Sequence, residues 1–169
     1  MLAKAPEWQE ALVGLGLTLD KLGDPAAKGL FERALKVDPD DLRAIRALAK
    51  IAVEAKDADL AIALQSKLLE FDPQNAEARV AVGRMKLQKG DIEGAAADFE
   101  AAMETSPNQE TAQALAGAYR ELTRAPDEIR VLERLAGYDE ADPAPLLRVA
   151  ELRQAAFECD PSGRFVMNG

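Results

Sequence analysis

The sequence predicts an all-α protein: a right-handed α-superhelix (solenoid) of antiparallel helix pairs, about four repeats followed by a C-terminal helix. Three observations predict it. Of 169 residues, 48% are apolar but only 5% aromatic, and Ala and Leu dominate. Those two residues cost least in a helix and let helices approach closely. No run alternates apolar with polar residues, and Val and Ile are scattered, so no stretch reads as a strand. Prolines stand at Pro6, Pro39, Pro73 and Pro107, in steps of 33, 34 and 34 residues. Such self-similarity marks stacked supersecondary units, none of which buries its apolar face alone.

Taken in order, "LAKAP" at residues 2–6 reads as the last turn of a helix from a preceding pair. The first unit, 7–39, has a helix ending near Gly23 and a second opening in "GDPAAKGLFERAL". There Asp24 is the expected N-cap and Pro25 the first helical residue, where its missing N–H does no harm. The second unit, 40–73, and the third, 74–107, repeat the device with Asp57 and Asp91. Gly90 reads as the residue that turns one helix into the next. In the fourth unit, 108–142, Ala116, Gly117 and Tyr119 lie in the first helix and "PDEIRVLERL" forms the second. Asp142 then caps a helix over 143–157, closing an array of 1–157, and 158–169 is an irregular tail.

These residues resemble the tetratricopeptide repeat, whose pattern runs large residue, Leu-Gly, Tyr, Ala, aromatic, Pro. The first unit places Leu12, Leu15, Gly16, Leu19, Ala27, Phe31 and Pro39 in those slots. The second has Ile45, Leu48, Ala49, Ala52, Ala61, Gln65 and Pro73, losing the aromatic. The third has Val82, Gly83, Ala95, Phe99, Ala102 and Pro107, with Arg79 and Lys86 replacing the large apolar residue and the Tyr. The resemblance covers residues 2–142 and implies that Gly16, Ala49, Gly83 and Gly117 stand where the first helix (A) of a pair touches the second (B). Ala27, Ala61 and Ala95 would face them. A larger side chain there would force the helices apart.

Composition also excludes function classes. With a formal charge of −9 and a pI near 4.7, the chain lacks the cationic surplus that general nucleic-acid binding requires. No apolar stretch approaches the ~20 residues of a membrane span. The start lacks the apolar core of a signal peptide, and a single cysteine fits a reducing compartment, so a cytoplasmic location is expected. There is no His, which removes imidazole metal sites and Ser-His or Cys-His catalysis. Cys159 sits beside Glu158 and Asp160, where a thiolate is disfavoured, and reads as inert. "GLGL" has no strand before it, and "DPDD" at 38–41 lacks the later bidentate Glu of a calcium loop. Neither an enzyme, a cofactor nor a metal is expected.

What remains is a groove. Stacked helix pairs curve, and in tetratricopeptide arrays the A helices line the concave side used for binding. Arg43, Arg46 and Lys50 fall at i, i+3 and i+7 on one stripe of an A helix, and Arg84 stands on the next A helix at the slot of Lys50. Val80 and Leu87 would add apolar contact. Asp59, Glu70, Glu93, Asp98, Glu100 and Glu104 collect on the B helices, so the groove would focus a positive potential. The expected function is a non-catalytic scaffold for a protein or peptide segment, acidic or carrying a C-terminal carboxylate. The resemblance leaves two alternatives open: an accessory repeat region of a larger glycosyltransferase, sulfotransferase or methyltransferase, or a secretion or assembly chaperone. The carboxylate clamp of chaperone-tail-binding relatives does not carry over. Its slots hold Val13, Leu17, Arg46 or Ala47, Glu77 and Ala81, and its Asn pair is missing. An apolar face around Trp8, Leu12 and Leu15 would stay partly uncovered, which predicts self-association.

Overall fold

The structure, a computed structural model, describes residues 6–158. Residues 2–5 of the expected preceding helix, and the tail with Cys159, lie outside them. Among the described residues there are nine α-helices and no strand. They are α1 Pro6–Lys21, α2 Ala26–Val37, α3 Leu42–Glu54, α4 Ala58–Phe71, α5 Ala76–Gln88, α6 Ile92–Thr105, α7 Gln109–Glu121, α8 Ala125–Ala136 and α9 Ala144–Glu158. The chain divides into two compact units, residues 1–105 and 106–169. In the first, α1 packs on α2, α3 on α4 and α5 on α6, while α2 also meets α3 and α4 meets α5. In the second, α8 packs on both α7 and α9. This is the all-α helical-repeat solenoid class.

Both ends of these helices follow from short-range chemistry. Each A helix after the first opens on a side chain that satisfies orphan N–H groups. Asp41 accepts from the N–H of Arg43 (2.9 Å) and Ala44 (3.2 Å), Asn75 from Ala78 (2.9 Å) and Asn108 from Thr111 (2.9 Å). Among the B helices, Asp57 accepts from Leu60 and Asp91 from Gly94. Asp24 does the same one position earlier than expected. Its carboxylate accepts from the Ala26 N–H at 2.9 Å, and Pro25 precedes the first helical residue instead of being it. The A helices end in a left-handed residue at Gly23, Lys56, Gly90 and Thr123, with φ of 70°, 57°, 80° and 56°. The next N–H reaches five residues back each time: Asp24 to Leu19, Asp57 to Ala52, Asp91 to Lys86 and Arg124 to Tyr119, all at 2.9–3.0 Å. That is the Schellman closure. It recurs in phase even where Lys56 and the β-branched Thr123 must take a conformation that glycine adopts without strain.

Packing between A and B helices turns on the small slot. A Cβ at Gly16 would stand 2.7 Å from Phe31 Cε1, and one at Gly83 2.7 Å from Phe99 Cε1. Both rings are fully buried, so the glycines are what lets them lie flat on helix A. In the middle pair the aromatic slot holds Gln65 and the small slot Ala49, so the small residue grows when its partner shrinks.

Gly117 does not belong to this set. A Cβ there would meet nothing within 4 Å, whereas Ala116, its neighbour, is buried. The reason is a missing residue. Asp41 and Asn75 stand two positions after Pro39 and Pro73, but Asn108 directly follows Pro107, so the fourth pair runs one residue ahead. At Lys86, the slot of the usual Tyr, the ammonium instead pairs with Asp98 on α6 at 2.7 Å.

Candidate functional site

The expected cationic stripe lies on α3. Arg43, Arg46 and Lys50 are exposed, while Ala44, Ile45, Ala47, Leu48 and Ala49 turn inward to the core. What the sequence reading missed is the helix beside it. Arg43 grips Glu10 of α1 with both Nη atoms (3.0 and 3.1 Å) and Asp41 with Nη2 (3.0 Å). Lys50 meets Asp20 of α1 at 3.1 Å and Glu54 at 3.9 Å. Two cations of the stripe thus stitch α3 to α1, and between them Arg46 makes no ion pair among the described residues. A signal was present: Glu10 and Arg43 are 33 residues apart, one repeat, so they occupy the same slot on adjacent A helices.

The stitch has a buried core. Asp41 accepts from Gln9 Nε2 at 3.1 Å, and both residues are buried. Burial alone would raise the Asp41 carboxyl, but the Arg43 and Gln9 hydrogen bonds and the two capping N–H groups outweigh it and hold the pKa at about 2. The Arg43 hydrogen bond likewise lowers Glu10. On α5, Arg84 is exposed, with Val80 and Leu87 half-buried on the same helix face.

Two further features stand out. Trp8 (68% exposed) and Leu15 (52%) on α1, and Leu22 (75%) in the turn just past its end, recur every seven residues as one apolar line. Leu48 and Val82, at the Leu15 slot of the next two pairs, are each 3% exposed. Leu12, expected on the open face, packs against the core of the first unit instead. In the second unit, Glu128 on α8 is 2% exposed, and its Oε1 accepts from Arg120 Nε of α7 at 2.9 Å and Arg148 Nε of α9 at 3.1 Å. No group of three or more His, Cys, Asp or Glu able to hold a metal occurs among the described residues. None of their helices is long and apolar enough to cross a membrane.

Two models of the tetratricopeptide repeat match the sequence, one over residues 13–76 and one over 48–120. The chain is a tetratricopeptide-repeat protein. Cellulose synthase operon protein C of Pseudomonas fluorescens is 31% identical to it over 121 residues, 64% of this chain. The chain spans 9% of that relative's length. Structures of MamA share the fold: one at 24% identity has a TM-score of 0.74 over 83% of this chain and 78% of its own, another at 16% identity reaches 0.77 over 90% and 84%. PilF of Pseudomonas aeruginosa superimposes with a TM-score of 0.60 at 22% identity, over 90% of this chain and 71% of its own. In the tetratricopeptide frame α1, α3, α5 and α7 are A helices, so the α1–α3 stitch joins two successive A helices. Arrays of this family serve as protein–protein interaction scaffolds.

Proposed function

We propose that this tetratricopeptide array is a non-catalytic cytoplasmic scaffold that takes an acidic or C-terminal-carboxylate-bearing segment along its A helices. Arg43, Arg46, Lys50, Val80, Arg84 and Leu87 are its contact residues. The observation that carries the reading is Arg46. It is exposed, lacks an ion pair among the described residues, and lies between two cations whose side chains are fixed by α1. A guanidinium held ready between pre-ordered neighbours loses little side-chain entropy on pairing with a carboxylate. Glu10 and Asp20 set the limit of the site: they consume part of the positive potential, so ligand charge is read locally at Arg46.

The test is a pull-down or peptide-array screen against the wild type and Arg46→Glu. Arg46 is the clean position, because Lys50→Glu would set a new carboxylate against Asp20 and disturb the scaffold. Acidic segments that bind the wild type should lose about tenfold or more against Arg46→Glu, and should weaken from low to high salt. Partners that bind both proteins alike, at any salt, would exclude the stripe as the recognition surface. The same reading includes association of the chain with itself through the open α1 face. A second reading, an accessory repeat region of a larger enzyme, is favoured by the match to a short stretch of a much longer relative. A catalytic domain in the same open reading frame would establish it.

A further inference from the structure

The second unit breaks the repeat rule at one buried position. Counting in phase, the slot that holds Ala27, Ala61 and Ala95 in the first three pairs holds Glu128 in the fourth. The three alanines are buried at the crossing of helix A and helix B, at 0–2% exposure, and Glu128 is as deeply buried. A carboxylate in an alanine slot is costly to desolvate, and such departures from local consistency concentrate at functional sites. Here the charge is answered by Arg120 from α7 and Arg148 from α9, both through Nε and both on the same oxygen.

That geometry leaves the outer edges of the two guanidinium groups available. Arg148 Nη1 donates to Glu151 at 3.1 Å, but Arg148 Nη2 and both Arg120 Nη atoms make no hydrogen bond among the described residues. Both side chains line a cleft of about 240 Å³ with Gln113, Gly117, Leu132 and Pro145. Gly117 is the position where an added Cβ would meet nothing within 4 Å, so empty space lies against helix α7 at that point. Asp142, also on the rim, already spends a carboxylate oxygen on the Ala144 N–H at 3.0 Å.

The geometry points to a carboxylate-binding site in this cleft, with Arg120 and Arg148 as the recognising forks and Glu128 as the positioning residue that holds them. Guanidinium Nη edges match a carboxylate in a way a point charge does not, and an ion fixed by a buried partner is pre-ordered for its ligand. The apolar floor, Leu132 and Pro145 beside the open Gly117, selects a carboxylate next to a small apolar group over a free inorganic anion. Either a peptide C-terminus or an acidic side chain supplies that chemistry. No residue of the α3 stripe takes part, so the site stands or falls separately from the groove proposed above.

The experiment is an NMR titration of the full chain, following the Arg Nε–H signals and the Gln113 amide. Three probes are used: acetylated alanine hexapeptides with a free C-terminus, the same peptides amidated, and amidated peptides carrying one glutamate. Expected is a saturable shift with at least one carboxylate-bearing probe and none with the plain amide; which of the two responds names the source. Gly117→Leu, whose Cβ meets nothing within 4 Å and whose side chain would occupy the cleft, should weaken binding at least tenfold without lowering the melting temperature. Arg120→Gln should weaken it as much while also lowering the melting temperature, because Glu128 loses a partner. Glu128→Ala, which restores the residue of the other pairs, should weaken binding while Glu128→Gln, which keeps an acceptor, recovers part of it. Equal shifts from plain amide and carboxylate probes, no shift from any probe, or full binding by folded Gly117→Leu would overturn the site.

Discussion

Gly83 and Gly117 are the same residue in similar helices, and their surroundings give them opposite roles. At Gly83 a methyl group would meet the Phe99 ring at 2.7 Å, which the buried ring can relieve only by shifting its own neighbours. Gly83→Ala should therefore destabilise the chain by about 1–2 kcal/mol, the overpacking cost less the better helix propensity of alanine. Gly83→Leu should cost more. Gly117→Ala meets nothing within 4 Å and should stabilise by roughly 0.5–1 kcal/mol through reduced backbone freedom. Denaturant titrations of the two alanine variants check both signs; a shared sign would show that the A–B contact is not where the slot lies. The sequence made the pairing of Gly16 with Phe31 and of Gly83 with Phe99 legible, because the residues sit at fixed offsets within a pair. It misled at Gly117 because the phase is carried by the N-cap and not by the proline, and only one residue separates the two conventions. Glu128 was hidden by the same slip: counted from Pro107 it looks like an ordinary exposed helix charge.

Helices are joined here by charge as well as by apolar packing, and the α1–α3 joint shows how. Asp41 is at once the N-cap of α3, the acceptor for Gln9 of α1 and the partner of Arg43, which in turn holds Glu10. Its carboxyl titrates near 2 in the folded protein, below the ~3.9 of an unfolded chain. A depressed carboxylate stabilises the fold at all pH values above the unfolded pKa, and that contribution is lost as pH falls through the folded one. Thermal melts of the wild type should consequently show a loss of stability between about pH 4 and pH 2. Asp41→Asn keeps an oxygen for the cap but not the charge. It should lower stability near neutrality by roughly 1–3 kcal/mol and flatten the acid limb in that window. An unaltered acid limb in the variant would place the acid sensitivity elsewhere. Caps of this kind were readable from sequence at Asp57 and Asp91, since they depend on neighbours within a turn. The reach of Asp41 to Gln9, and of Lys50 to Asp20, was not, because it depends on how two A helices are set side by side.

For the molecule as a whole, the unequal treatment of equivalent slots matters most. Leu48 and Val82 are buried, on helices that each have a B helix packed before them, while Leu15 in the same slot is half exposed and continues a line from Trp8 to Leu22. A surface line of that kind removes apolar area from water when a second helix lies on it, a gain of about 25 cal/mol per Å² before the cost of association. The proposed self-association follows, and its salt dependence separates it from peptide binding in the groove. A chain of net charge −9 repels its own copies, so added salt should screen that repulsion and tighten association. Recognition of an acidic segment at Arg46 should weaken under the same change. Trp8 is the single tryptophan of the chain, so its emission reports directly on this face. Sedimentation across a concentration series should show association that grows with salt and a blue shift of the emission in step with it. The double variant Trp8→Glu, Leu15→Glu should stay monomeric at every concentration while keeping its helical content, since neither side chain belongs to the buried core. A wild-type chain that remains monomeric at high concentration and high salt would leave the line without a role in self-association.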